Sequence, residues 1–195
     1  MKDETVYIVS GFMRTGTSMM MKCLEAGGMD AVARESRDEM RLKYADEFYD
    51  PNNGGLYEIE RKDSQHPDFP SQFKGKLIKV LNAGTGRLNV MEKIKVIFMT
   101  RDPEEIRQSY EAFFSDEGRL KNEMIEMAIK KNLELLRNRK DTDVLEFWYR
   151  DVVENPRKHF EILKENGWPI DVDKCVAEVD VDLLRFKKEN LTQGI

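Results

Sequence analysis

Histidine, cysteine and proline are scarce in this chain, and each shortage narrows what it can do. Among 195 residues there are two histidines, His66 and His159, two cysteines, Cys23 and Cys175, and six prolines. Two cysteines so far apart suggest neither a disulfide framework nor a set of metal ligands. With the histidines isolated as well, no metal is expected. Both thiols read as reduced, which points to a cytoplasmic setting. Apolar runs long enough to cross a bilayer are also missing, so no membrane partner is expected. The opening MKDETVYIVSG has no basic start, apolar middle and small-residue cleavage site. It reads as a polar cap entering a first strand. Nor is there a basic excess: 32 Lys and Arg stand against 37 Asp and Glu, a net charge of −5. General nucleic-acid binding needs a concentrated basic footprint and is disfavoured. A small anion, held by a few arginines and backbone N–H groups, is not.

What is present describes a folded chain. Hydrophobic residues make up 40% and charged residues 35%, and the length suits one domain spanning residues 1–195. Short β-rich runs at Val6–Ser10, Lys76–Leu81, Lys95–Met99 and Val144–Trp148 read as strands. Between and after them, helical patterns occupy Ser18–Ala26, Pro103–Phe114, residues 119–137 and Pro156–Asn166. In the third of these, Leu120, Met124, Met127, Ala128 and Leu135 fall near one face. Glu35–Tyr44 and His66–Phe73 read as further helices, and Asp50–Gly55 as a loop. Leu56–Glu60, Cys175–Val179 and Leu183–Phe186 are weaker elements. Strands alternating with helices predict an α/β fold of three layers, a mostly parallel sheet with helices on both faces. Such sheets bind ligands at the carboxyl ends of their strands.

The distinctive polar residues follow those strands. VSGFMRTGTSMM, residues 9–20, places Gly11 and Gly16 about a tight strand-to-helix turn. Backbone N–H groups of such a turn converge on a phosphate, aided by the helix amino terminus. Thr15, Thr17 and Ser18 add hydroxyls, and Arg14 adds a charged donor. The spacing nearly fits GxxxxGK[ST], but Thr17 holds the lysine position. An ordinary kinase or ATPase is therefore the less favoured reading. A second motif, VIFMTRDPEEIRQSYEAFF, residues 96–114, puts Arg101 at a strand end and Ser109 two turns into the next helix. Both can meet a second phosphate. Arg107 is expected to face solvent or pair with an acidic neighbour.

The two motifs in this order resemble the PAPS-dependent sulfotransferase family, and a bacterial sulfotransferase-like subgroup within it. The family loop often has proline and serine where this chain has Met13 and Thr15. GTSMMMKCLEAGGM, ADEFYDPNNGGLYEIE, GKLIKV and FWYRDVVENP extend the likeness over most of residues 6–186. The resemblance implies a P-loop, nucleoside-triphosphate-hydrolase-like sulfotransferase fold. It implies that residues Arg14–Ser18 grip the 5′-phosphosulfate of PAPS and that Arg101 and Ser109 grip its 3′-phosphate. Tyr149 matches the tyrosine that contacts adenine, and Lys79 a lysine facing the transferred sulfuryl group. Lys79 also reads simply as a solvated strand-end lysine, and Tyr149 as packing. The glycine-rich loop that covers the 3′-phosphate in cytosolic relatives is not evident in LRFKKENLTQGI.

Sulfuryl transfer also needs a group to take the acceptor's proton. Where many relatives carry a histidine, this chain has Leu81. His66 and His159 are weak substitutes. Glu35, Asp46 and Glu58 are the carboxylate candidates, with Glu35 slightly ahead of Glu58. The methionines Met13, Met19, Met20 and Met21 read as adaptable packing, with an apolar acceptor pocket as the alternative. The leading expectation is transfer of a sulfuryl group from PAPS to a hydroxyl or amine of a small acceptor, releasing PAP. A non-catalytic nucleotide-binding or regulatory protein that retains the fold is the alternative, and a P-loop kinase or ATPase comes third.

Overall fold

The computed structural model describes residues 3–33, 57, 59–86, 88, 93–114 and 120–180. Its centre is a four-stranded sheet, ordered β2-β1-β3-β4, built from β1 (Val6–Gly11), β2 (Leu77–Lys79), β3 (Ile94–Thr100) and β4 (Thr142–Trp148). Every neighbouring pair is parallel. The two inner strands are almost wholly apolar, as strands covered on both faces must be. Alternation divides their side chains. Val6 and Ile8 of β1 with Ile94, Val96 and Phe98 of β3 face one layer, and Tyr7, Val9, Ile97 and Met99 face the other.

Helices cover both faces. On the second face lie α1 (Thr17–Ala26), α5 (Tyr149–Glu154), α6 (Pro156–Glu165) and α7 (Val172–Ala177). They contribute Met19, Met20, Met21, Leu24, Val152, Phe160 and Cys175 to the core. The methionine cluster of α1 is therefore core packing; Met13 lies beside a small cluster of Phe12, Ile106 and Ile125. On the first face α4 (Asn122–Arg137) sends in Leu133 and Leu136, joined by Phe69 and Phe73 from the chain around a 3-10 turn at Ser71–Phe73. A four-residue helix, α2 (Arg61–Ser64), precedes that turn, and α3 (Pro103–Phe114) follows β3. A three-layer α/β architecture is thus present. No helix among the described residues is long and apolar enough to cross a membrane.

The expected strands and main helices form within a few residues of their predicted bounds. Glu35–Tyr44, the 50–55 loop and Leu183–Phe186 lie outside the described residues, while His66–Phe73 forms turns and the 3-10 segment rather than one helix. The orientation of α4 differs from expectation. Met124, Met127 and Leu135 are 52%, 65% and 40% exposed, and Ile125, Leu133 and Leu136 are buried instead. The helix carries two apolar stripes, and the one with the aliphatic residues meets the sheet. Buried Asn132 fixes the docking. Its Oδ1 accepts from the Thr85 N–H at 3.0 Å, and its backbone lies so near Gly84 that an added Cβ would sit 2.1 Å from the Asn132 carbonyl oxygen.

The strand order also locates the switch-point crevice expected of a parallel sheet. From β1 the chain crosses to β2 on one side, and from β3 it crosses to β4 on the other. The direction of winding reverses between β1 and β3, where a parallel sheet opens at its carboxyl end. Gly11 is in register with Met99, so the loops leaving both strands start side by side.

Candidate functional site

Each strand delivers polar residues to that crevice. Leaving β1, the loop turns through backbone angles that glycine tolerates: Gly16 has φ +89°, and Arg14 adopts φ +65° despite its side chain. Thr15, fully buried, ties the turn by donating its hydroxyl to the Phe12 carbonyl at 2.7 Å. Thr17 and Ser18 open α1 and are buried. No side chain caps the α1 amino terminus and no acidic residue lies in its first turn. The dipole end is therefore left with backbone N–H groups and hydroxyls, a setting suited to an anion.

Lys79 ends β2. It is 5% exposed, and its Nζ donates to Ser18 Oγ at 3.3 Å. The solvated strand-end reading of this lysine is therefore corrected: parallel pairing with β1 aims the ammonium group at the loop. The loop lacks the lysine of GxxxxGK[ST] at Thr17, and Lys79 brings a positive charge to it from the neighbouring strand.

Beyond β3, Arg101 is 6% exposed. Its Nε donates to Glu105 Oε2 at 3.0 Å, its Nη1 to the Arg14 carbonyl at 3.3 Å, and its guanidinium lies 4.8 Å from the Tyr149 ring centre. Arg14 Nε donates to Ser109 Oγ at 3.0 Å, with its guanidinium 4.5 Å from the Phe113 ring centre. The two sequence motifs, expected as two anion sites, are thus one connected cluster. Tyr149, the first residue of α5 just past β4, closes it, because a Cβ built on Gly16 would lie 2.2 Å from the Tyr149 ring. The tyrosine is 4% exposed and seals the far side of the loop.

Two residues of this cluster were not singled out in the sequence. Glu105 is 2% exposed and joins Arg101 to Arg150, whose Nη2 donates to Glu105 Oε1 at 2.7 Å. The i,i+4 spacing of Arg101 and Glu105 on a helix start was readable. The Arg150 contact spans 45 residues and has no local sign. Arg107 pairs with Glu104 and Glu111, as expected. The Arg107 guanidinium holds the Glu104 carboxyl far below its ordinary range, at about 2.

The candidate bases are placed less fully. Glu35, Asp46 and Glu58 lie outside the described residues. Beside them in sequence, Tyr57 is buried and donates its hydroxyl to Glu25. His66 is exposed and its Nδ1 accepts from the Asp68 N–H at 3.2 Å. His159 is buried edge-on to Phe147, its Nδ1 2.9 Å from the Asn155 carbonyl oxygen. Both histidines thus have local structural settings. A groove of about 460 Å³ lined by Lys95, Thr142, Asp143 and Trp168 lies at the amino ends of β3 and β4, opposite the crevice.

Compared with known protein families and with curated proteins, the chain matches no family model and no individual sequence.

Proposed function

We propose that the chain is a PAPS-dependent sulfotransferase acting on a hydroxyl or amine of a small acceptor in the cytoplasm. One observation carries the reading. At the β1/β3 crevice, Arg14, Arg101, Ser109 and Tyr149 form one network of contacts, and Lys79 pairs with Ser18, at an uncapped helix start. The resemblance of the loop and of the Arg101–Ser109 segment to sulfotransferase motifs supplies the ligand: a nucleotide with phosphates at both ends of its ribose. In this reading the fold is the P-loop sulfotransferase fold.

The chemistry follows from those groups. The acceptor oxygen or nitrogen attacks sulfur, the bond from sulfur to the bridging phosphate oxygen breaks, and PAP departs with the charge. Loop N–H groups, Arg14 and Lys79 hold that charge in a setting shielded from water, where each donor is worth more than in bulk solvent. Arg101 and Ser109 fix the 3′-phosphate, and Tyr149 packs against the adenine. The acceptor proton passes to a carboxylate, first Glu35 and next Glu58 or Asp46. Glu35→Gln should then cut turnover by roughly 10²–10⁴-fold with nucleotide affinity nearly intact. Unchanged turnover passes the role to Glu58.

The test is calorimetric titration with adenosine 3′,5′-bisphosphate and with ATP. The bisphosphate should bind more tightly. ATP binding as tightly or more so would overturn the proposal and favour the triphosphate reading, for which buried Lys79 beside Ser18 is the supporting observation. Arg101→Ala should lose about 1.5–3 kcal/mol of bisphosphate binding, the range for a charged hydrogen bond. It should bind a nucleotide without the 3′-phosphate nearly as wild type does. Tight bisphosphate binding with no sulfuryl transfer to any acceptor would favour the non-catalytic alternative.

A further inference from the structure

We infer that the Arg14 side chain reads the 3′-phosphate alongside Arg101 and Ser109, so that one residue of the first loop serves both phosphate ends of the ligand. The inference rests on the nucleotide reading above and deepens it, because it adds a specificity-determining residue to the end of the site that the second motif supplies.

Two contacts fix where the guanidinium lies. Arg14 belongs by sequence to the loop after β1, yet its side chain reaches α3. Its Nε donates to Ser109 Oγ at 3.0 Å, and its guanidinium lies over the Phe113 ring, 4.5 Å from the centre. Ser109 and Phe113 are one turn apart on α3, so both contacts belong to one face of that helix. A phosphate that hydrogen-bonds to Ser109 Oγ therefore comes within reach of the Arg14 guanidinium. Neither contact bars an anion. Ser109 is 2% exposed, and among the described residues its own O–H meets no acceptor. A serine oxygen that accepts one hydrogen bond still has that O–H to give. An arginine stacked on a ring uses the face of its guanidinium, whereas anions meet the N–H edge.

The backbone points the same way. Arg101 Nη1 donates to the Arg14 carbonyl at 3.3 Å. Both residues of the second motif thus hold Arg14, one by its backbone and one by its side chain. Arg14 stands at φ +65°, a conformation that a residue with a side chain keeps only where its surroundings hold it. A residue that merely pinned the loop would, when replaced, weaken every ligand that uses the loop. One that reads the 3′-phosphate changes the choice between ligands, and this separates the two roles.

The experiment titrates adenosine 3′,5′-bisphosphate and adenosine 5′-monophosphate into wild type and Arg14→Asn, with the thermal midpoint of each recorded. Asparagine tolerates the left-handed backbone and is too short to reach Ser109. Wild type should prefer the bisphosphate, and the ratio of the two affinities should fall about tenfold or more in Arg14→Asn. An unchanged ratio would overturn the inference and leave the nucleotide reading standing. If wild type shows no preference, the reading and the inference fall together. A second measurement needs no variant. Phenylglyoxal modification of Arg14 in wild type, mapped by mass spectrometry, should be slowed severalfold more by saturating bisphosphate than by saturating monophosphate. Equal protection by the two, or none from either, would also overturn the inference.

Discussion

Gly16 sits where the chain reverses between strand and helix and where the Tyr149 ring comes closest. A methyl group there meets ring carbons at 2.2 and 2.7 Å, on backbone with φ +89°. Gly16→Ala should cost about 2–4 kcal/mol, from left-handed strain together with overpacking, read as a fall in thermal midpoint. Gly28, also at positive φ, has open space around its Cβ position, so Gly28→Ala should cost only the backbone share and lower the midpoint less. The cysteines give a second residue-scale test. Burial pushes the Cys23 thiol up to about 12 and the Cys175 thiol up to about 11. Since the thiolate is the reactive form, a thiol reagent at pH 8 should label neither in the folded chain and both in denaturant. At this scale the sequence was readable where chemistry is local. The glycine spacing of the loop and the step from Arg101 to Ser109 each lie within one turn and one helix. Burial of Lys79 was not readable, because strand pairing with distant β1 determines it.

Among the elements, α3 depends on charge and α4 on packing. Arg107 of α3 bridges Glu104 and Glu111, and Glu104 also accepts from Asn122 Nδ2 at the start of α4. The Glu104 pKa is depressed in the fold, chiefly by the Arg107 hydrogen bond, from 4.5 to about 2. Its contribution is therefore complete above about pH 4.5 and is lost as pH falls towards 2. Glu104→Gln should lower stability at pH 7 by about 1 kcal/mol after solvent screening. Denaturant titrations should show a flatter decline between pH 4.5 and 2 than in wild type. In α4, Leu136→Ala should cost about 2–5 kcal/mol, whereas Met127→Gln, on the 65% exposed residue, should stay within about 0.5 kcal/mol. The helix itself was evident from periodicity. Its rotation was not, because two apolar stripes compete and only contact with the sheet selects between them.

Across the whole molecule, the parallel sheet was legible from strands alternating with helices. The order β2-β1-β3-β4 was not, since it depends on the direction of each crossover. That order puts β1 and β3 inside and, among the described residues, leaves β4 at an edge with one neighbouring strand. Amide exchange should be slowest in β1 and β3 and faster along β4; equal protection in all three would contradict the arrangement. The edge strand also carries an optical consequence. Trp148 ends β4 at 48% exposure, immediately before Tyr149, while Trp168 is 3% exposed with its ring 5.0 Å from that of Tyr7. The two indoles therefore emit from different surroundings, one open to a dissolved quencher and one shielded from it. Acrylamide will extinguish the redder component first. If the proposed nucleotide site is right, a ligand settling against Tyr149 should alter that component and leave the bluer one constant, giving a fluorescent gauge of occupancy with an internal standard; no change in either component on adding adenosine 3′,5′-bisphosphate would count against the site.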